Sequence, residues 1–192
     1  MRKRLMEDVD ETPYYSITDE EIERYKALFL NEQILSIKVF QINNTFYDIK
    51  NKREYMIDGG IEFHLPKGYL CFGFSSYFDQ YILNSEPFQK NYTHENEYEL
   101  TPNEVPEIFN LINKKIIDVK IKCKEFHEII DYTMQTQKIK KPIEIILKFE
   151  NGEILQVSSV NFDLGENSEP ENYVYSNENE ILIAFKETKI KS

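Results

Sequence analysis

The residues with the clearest potential for chemistry are two aspartates, Asp79 and Asp163, each preceded by a phenylalanine. They occupy equivalent positions in an internal repeat, and two carboxylates brought together can perform acid–base catalysis. An aspartate at a strand end, however, commonly closes a turn by accepting hydrogen bonds from its own backbone. The sequence favours this structural role and leaves shared acid–base chemistry as an alternative.

The other reactive side chains do not form a recognisable catalytic or metal-binding motif. His64, His94 and His127 are scattered, and none has the close spacing that metal ligands need. Cys71 and Cys123 lie in predicted strands without CxxC spacing, which predicts buried free thiols. GxSxG, P-loop and GxGxxG motifs are absent from the sequence. We therefore predict a protein without catalytic residues, metal or cofactor.

Carboxylates and tyrosines are combined in two related segments, residues 84–97 and 167–180. Both begin with Asn-Ser-Glu-Pro and end with Glu-Asn-Glu, and they are identical at eight of fourteen positions. Two unrelated segments would match at a given position only about one time in 15. The identity therefore predicts that the chain contains a tandem duplication.

We predict that these two acidic loops contact a protein partner. Tyrosine rings can fill pockets on a partner, and surrounding carboxylates speed its encounter with a basic surface. The predicted contact residues are Glu86, Tyr92, Glu95, Glu97, Glu169, Tyr173, Tyr175 and Glu178. A turn inherited by duplication, in which proline keeps the preceding glutamate extended, explains the shared residues without any function. Both interpretations remain open.

The secondary structure that must position these loops can be predicted in two similar units. In the first, Thr18 and Glu21 have the spacing of a capping box and begin a helix predicted to continue to about Glu32. Residues 34–42 then alternate as a strand. Gly59-Gly60 separates two further apolar runs, which predicts a β-hairpin.

The second unit repeats this plan. Thr101 and Glu104 restate the capping signal, and Pro106 predicts that the second helix is kinked or begins late. Residues 116–123 alternate as a strand, after which we predict an insertion at about 126–141. Asn151-Gly152 predicts a hairpin. A change in apolar parity at Ser158-Ser159 suggests a β-bulge.

These elements predict an α+β fold made by tandem duplication of a unit containing a helix and an antiparallel sheet, the two units being related by a pseudo-two-fold axis. The predicted organisation is a flexible leader (1–13), a first unit (14–100), a second unit (101–186) and a dispensable tail (187–192). The two units are predicted to form either two packed sheets or one continuous sheet.

The overall charge limits the class of partner. The net charge is -11 and the pI is about 4.9, whereas nucleic-acid surfaces depend on clustered lysine and arginine. We expect a basic protein partner and neither nucleic acid nor membrane, although the charge is also consistent with a role in solubility alone. The basic start of the chain runs into acidic residues instead of an apolar signal core, which predicts a cytoplasmic protein.

The segment ILKFENGEILQVSS, the acidic loop after it and the strand EILIAF together resemble the small acidic immunity proteins that protect bacteria from polymorphic toxins. The resemblance covers residues 142–186. It implies a non-enzymatic cytoplasmic protein that binds a cognate toxin domain and blocks its active site. Toxin nucleases of this kind tend to be basic, which suits the acidic charge.

Two other functions remain open. A small ligand could bind where the two units meet, in an enzyme if Asp79 and Asp163 converge there. Alternatively, the protein could be a structural or self-associating module. The sequence leaves its oligomeric state undetermined.

Overall fold

The computed structural model of the chain describes residues 15–43, 46–49, 51–92, 98–129, 136–176 and 180–192. In this part of the chain there are three helices, α1 (Asp19–Phe29), α2 (Phe88–Asn91) and α3 (Pro106–Phe109). The strands are β1 (Ser36–Gln41), β2 (Tyr47–Ile49), β3 (Glu54–Ile57), β4 (Gly60–Leu65), β5 (Gly68–Ser75), β6 (Gln80–Asn84), β7 (Tyr98–Glu99), β8 (Ile116–Ile129), β9 (Thr136–Phe149), β10 (Ile154–Leu164), β11 (Pro170–Tyr175) and β12 (Glu180–Ala184).

The strands form two antiparallel sheets. The first sheet has the order β6-β5-β4-β1-β7, and the second has the order β2-β3-β12-β10-β9-β8 with β11 paired to β10. One large apolar cluster contains inward-facing residues of both sheets, including Phe63, Phe72, Leu147 and Ile183. The predicted α+β class with antiparallel sheets is confirmed, and of the two predicted arrangements the structure has two packed sheets.

Helix α1 begins as its capping box predicts. The amide of Glu21 donates to the Thr18 hydroxyl at 3.2 Å, and the Glu21 carboxylate accepts from the Thr18 amide at 2.9 Å. These bonds satisfy amides that have no partner within the helix. The apolar face of the helix, Ile22, Tyr25 and Phe29, is buried in the large apolar cluster. The helix ends at Phe29, three residues before the predicted end.

The predicted hairpin at Gly59-Gly60 is wrong, because β3 and β4 belong to different sheets. β3 pairs with β2 and β12, whereas β4 pairs with β1 and β5. The chain crosses from one sheet to the other at Asp58 and Gly59. A Cβ atom on Gly59 would lie 2.2 Å from the carbonyl oxygen of Phe40. The crossing therefore needs glycine for close backbone approach rather than for a hairpin turn.

The second hairpin prediction is confirmed. β9 and β10 are joined by a turn in which the amide of Gly152 donates to the carbonyl of Phe149 at 2.9 Å. Gly152 has φ = 86°, a conformation that favours glycine. The prediction of a late second helix is also confirmed, since α3 begins at Pro106 and forms a single turn.

The segment predicted as an insertion, about 126–141, contains paired residues of β8 and β9, which are fourteen residues long each. The predicted bulge at Ser158-Ser159 is wrong, because β10 pairs with β12 without a register shift from Gln156 to Val160. The apolar parity changes because both faces of β10 are covered: Val157 faces the large cluster, and Val160 faces a second cluster on the opposite side of the sheet.

The two Asn-Ser-Glu-Pro segments lead into different structures. Pro87 precedes helix α2, whereas Pro170 begins strand β11. Furthermore, β2 and β3 come from the first half of the chain but belong to the second sheet. The second sheet therefore combines strands from both predicted units.

Candidate binding surfaces

The tyrosines predicted to contact a partner are buried. Tyr92, Tyr173 and Tyr175 are only 6%, 6% and 7% exposed. Of the predicted carboxylates, Glu86 is exposed and its oxygen lies 2.7 Å from the Nζ atom of Lys90, and Glu169 is half-buried. The remaining predicted contacts, Glu95, Glu97 and Glu178, lie outside the described residues.

Tyr92 belongs to a cluster that fixes α2 on the outer face of the first sheet. Its ring stacks with Phe88, whose ring in turn stacks on Phe40 with 4.5 Å between centroids. The Phe88 ring occupies space above Gly60 and Gly73, which are directly paired on adjacent strands. A Cβ atom on Gly73 would lie 2.8 Å from that ring. The segment after the first Asn-Ser-Glu-Pro is thus anchored by aromatic packing.

Tyr173 and Tyr175 instead bind buried carboxylates of the second sheet. The hydroxyl of Tyr173 donates to Glu54, and that of Tyr175 donates to Glu144, each at 2.8 Å. Glu54 and Glu144 are only 2% and 6% exposed. Burial first, and then the bond to the carboxylate, raises the pKa of both phenols. Both tyrosines therefore remain protonated donors near neutral pH.

Gln156 and Thr188 link the two buried carboxylates. Gln156 donates to Glu144 at 2.6 Å and accepts from the backbone amide of Thr188 at 2.6 Å. The Thr188 hydroxyl donates to Glu54 at 2.8 Å, and Ser158 donates to Glu144 at 3.0 Å. Because buried carboxylates are stable when several donors surround them, this network explains their burial structurally.

Of the two aspartates with potential acid–base chemistry, one lies in a turn of the first sheet and the other in a strand of the second. Asp79 is exposed in the turn between β5 and β6, with φ = 51°. Asp163 is exposed near the end of β10 and pairs with Glu171 in the register of β10 and β11. The turn position of Asp79 agrees with the structural interpretation that the sequence favours.

A cleft with acidic walls lies between the edge of the second sheet and α3. It has a volume of about 250 Å³ and is lined by Asp48, Tyr55, Asn103, Glu104, Pro106 and Glu107. Three of these six residues carry carboxylates, and none is lysine or arginine. Asp48 and Glu104 are exposed and Glu107 is half-buried. Such a cleft favours a cationic group, because its negative charges act together on a group placed among them.

Two of the cleft carboxylates are held in position. Glu104 accepts from the amide of Thr101 at 2.7 Å and from its hydroxyl at 2.8 Å, and these bonds lower the pKa of Glu104. Glu107 accepts from the Tyr55 hydroxyl. Tyr98 is 42% exposed and lies near Glu104. The pKa of the Tyr98 phenol is raised, first by partial burial and then by the Glu104 carboxylate. An exposed aromatic ring thus accompanies the acidic cleft.

A second cleft of about 320 Å³ has the opposite charge. It is lined by Arg24, Leu28, Lys67, Gly68, Tyr69 and Ser85. Arg24 lies over the ring of Tyr25, and the Lys67 ammonium lies 2.7 Å from Glu32. Tyr69 is partly exposed and stacks against His64 with 4.5 Å between ring centroids. This cleft could accept a small anion that carries a planar group.

Sequence reasoning missed the acidic cleft because three separate segments form it. Asp48 and Tyr55 come from β2 and β3, while Glu104 and Glu107 come from the turn before α3 and from α3 itself. The capping spacing of Thr101 and Glu104 was the one local signal. The pairing of β2 with β3, which brings Asp48 opposite Tyr55, has no comparable signal.

Within the described residues, no group of three or more histidine, cysteine, aspartate or glutamate side chains is placed to hold a metal ion. Cys71 is buried and Cys123 is half-buried, and both are free thiols. No helix among the described residues has the length and apolar character needed to cross a membrane.

The chemistry of the two clefts and of the buried network is the basis for a functional assignment. No protein-family model matches the chain, and searches of curated proteins and of solved structures found no significant match.

Proposed function

We propose that this protein is a non-enzymatic binding protein that holds a basic protein domain at the acidic cleft, in the manner of an immunity protein neutralising a bacterial toxin. The observation that supports the proposal best is the concentration of Asp48, Glu104 and Glu107 around one recess. The net charge of -11 adds long-range attraction for a basic domain. The resemblance of residues 142–186 to immunity proteins supplies the class of partner.

The geometry of the cleft favours binding because its charged groups are already ordered. Glu104 is fixed by the capping bonds from Thr101, and Glu107 is fixed by Tyr55. A lysine or arginine entering the cleft would therefore cost little additional side-chain ordering on this side of the interface. Tyr98 offers the kind of exposed ring that is enriched at protein interfaces.

The acidic loops have a secondary role in this proposal. Glu86, Glu95, Glu97, Glu169 and Glu178 contribute charge that attracts the partner. The rings of Tyr92, Tyr173 and Tyr175 have structural contacts instead, so Tyr98 replaces them as the proposed aromatic anchor.

The test removes two charges from the cleft without removing hydrogen-bond acceptors. Asp48→Asn with Glu107→Gln keeps an acceptor for the Tyr55 hydroxyl. The matched control, Glu20→Gln with Glu166→Gln, removes the same charge from two exposed positions outside the cleft lining. Binding is measured by calorimetry against the toxin-like protein encoded by a neighbouring gene, at several salt concentrations.

We expect the cleft variant to bind about tenfold more weakly, a loss of about 1.4 kcal/mol, with a reduced dependence on salt. The control variant should retain most of the affinity. Equal affinities for the two variants would remove the cleft from the interface. Failure of the unmodified chain to bind any such neighbouring protein would refute the immunity assignment itself.

A second candidate function is binding of a small anion in the 320 Å³ cleft. Arg24 and Lys67 supply positive charge, and Tyr69 supplies an exposed ring face. Adenosine monophosphate, which combines a phosphate with a planar base, is a suitable probe. Calorimetry should detect binding that Arg24→Gln weakens, and the absence of binding at millimolar probe would exclude this function for that ligand class.

We also propose that the chain arose by tandem duplication. The eight identities between residues 84–97 and 167–180 support it. The order of neighbours β1-β4-β5 in the first sheet also parallels the order β8-β9-β10 in the second. The helix after Pro87 and the strand after Pro170 would then have diverged. Related sequences should show the halves becoming more alike toward their common ancestor, and halves that do not converge would contradict duplication.

A further inference from the structure

Residues 186–191 lie against the outer face of the second sheet and are recognised through their backbone. The side-chain amide of Gln156 binds both backbone groups of Thr188: its oxygen accepts from the Thr188 amide at 2.6 Å, and its nitrogen donates to the Thr188 carbonyl at 3.2 Å. A paired contact of this kind fixes an extended peptide regardless of its side chains.

The same segment also pairs with a strand. The amide of Lys191 donates to the carbonyl of Tyr173 at 2.9 Å, and the amide of Tyr175 donates to the carbonyl of Lys191 at 3.1 Å. These bonds form a parallel bridge between Val174 and Lys191. Addition of an extended segment to a strand is a general mode of peptide recognition.

Alternate side chains of the segment are read by the surface beneath it. The Thr188 hydroxyl donates to the buried carboxylate of Glu54 at 2.8 Å, and Ile190 packs against the apolar cluster that contains Met56 and Leu182. The exposed Lys186 ammonium also lies 3.5 Å from Glu54, and the exposed Glu187 carboxylate lies 3.6 Å from Lys148. The half-buried Thr188 and Ile190 thus alternate with exposed residues, as in an extended peptide with one face bound.

We propose that this surface, the 186–191 groove, is a peptide-recognition site that the chain fills with its own segment and that also accepts an extended segment from another protein. The groove consists of Glu54, Gln156, β11 and the apolar cluster under Ile190. The preferred external segment carries threonine and an aliphatic residue two positions apart, because these are the side chains that the groove half-buries here. The site is separate from the acidic cleft and does not depend on the proposed toxin binding.

The chain's own segment must limit access to the groove. A tethered segment acts at an effective concentration of about a millimolar, so a free peptide competes poorly until the segment is removed or displaced. The groove is therefore expected to be weakly available in the intact chain and strongly available once residues 186–192 are removed.

The experiment uses a labelled peptide of residues 186–192, KETKIKS, with the intact chain and with a chain that ends at Phe185. Fluorescence anisotropy measures binding, and circular dichroism reports the folded state. A peptide with Thr188→Ala and Ile190→Asp tests side-chain recognition. A scrambled peptide of the same composition controls for simple attraction between charges.

We expect saturable binding to the shortened chain, at least tenfold weaker binding to the intact chain, and loss of binding with both altered peptides. If the shortened chain does not fold alone, the native peptide should restore its cooperative thermal transition and the scrambled peptide should not. A concentration-dependent dimer of the intact chain that Thr188→Ala with Ile190→Asp abolishes would also support the site, with a second copy as the external partner. A shortened chain that neither binds KETKIKS nor is restored by it, or that binds the scrambled peptide equally, would overturn the proposal.

Discussion

The ionisation of buried tyrosine hydroxyls links burial in this protein to its stability at high pH. Besides Tyr98, six tyrosines among the described residues have hydroxyls whose pKa is raised, with burial as the largest cause in each case: Tyr15, Tyr25, Tyr55, Tyr81, Tyr173 and Tyr175. The hydroxyl of Tyr81, for example, donates to the carbonyl of Asp58 at 3.0 Å within the core. Ionising such a phenol in place would leave a buried charge beside an acceptor, which the folded state resists.

Stability should therefore fall as the pH rises above about 10, the ordinary tyrosine pKa. In that range the unfolded chain releases phenolic protons that the folded chain retains, so the free energy of unfolding decreases with pH. Phenolate absorbance measured alongside circular dichroism should show these six tyrosines ionising only as the protein unfolds. Tyr77, which is 66% exposed, is the control: Tyr77→Phe removes an exposed phenol and should leave the unfolding pH unchanged. Ionisation of every tyrosine near pH 10 in an intact fold would contradict this explanation.

At the scale of elements, short segments are held by one or two well-placed contacts. Helix α2 has four residues, too few to be stable alone. It is fixed by the Phe88 ring above Gly60 and Gly73, and by the Phe88 amide, which donates to the buried Glu62 carboxylate at 2.9 Å. The glycines and the aromatic ring therefore form one packing unit.

Phe88→Ala should lower the free energy of unfolding by about 3–5 kcal/mol, because it empties a buried site. Gly73→Ala should cost about 1–3 kcal/mol by overpacking against the ring. When both changes are combined, the cost of Gly73→Ala should fall, since the ring that its methyl group meets is gone. Urea unfolding of the single and double variants measures this coupling. Strictly additive costs would show that the ring and the glycine do not share one site.

At the scale of the whole molecule, the two halves of the sequence are structurally interleaved. β3, from the first half, pairs with β12, from the second, over four residue pairs beginning at Ile57 and Ile181. The large apolar cluster also takes residues from both halves. Each half alone would therefore expose strand edges or apolar residues that are buried against the other half in the intact chain.

Residues 15–100 and 101–192, expressed separately, should each fail to show a cooperative thermal transition. The first half would leave β2 and β3 without the rest of their sheet, and the second would leave the inner face of that sheet uncovered. The intact chain should unfold in a single transition followed identically by circular dichroism and tyrosine fluorescence. Cooperative unfolding of either half alone would show that the halves are independent domains.

The sequence alone determined the features whose causes are local. The capping box predicted the start of α1 because Thr18 and Glu21 exchange bonds within one turn. Asn151-Gly152 predicted its hairpin because the turn requires the conformation that glycine adopts. The net charge of -11 likewise follows from the sequence alone.

Only the tertiary structure decided which segments meet. The residues around Gly59 have the same local signals whether β3 and β4 pair or separate, and the choice depends on contacts with β12 and β1. A tyrosine side chain is compatible with both water and the protein interior, so the sequence did not decide the burial of Tyr173 and Tyr175. The fold decided it by bringing the carboxylates of Glu54 and Glu144 within hydrogen-bond distance. The acidic cleft and the 186–191 groove are also made from distant segments. Periodicity and capping act within a few residues, whereas strand pairing and burial are fixed by the free energy of the whole fold.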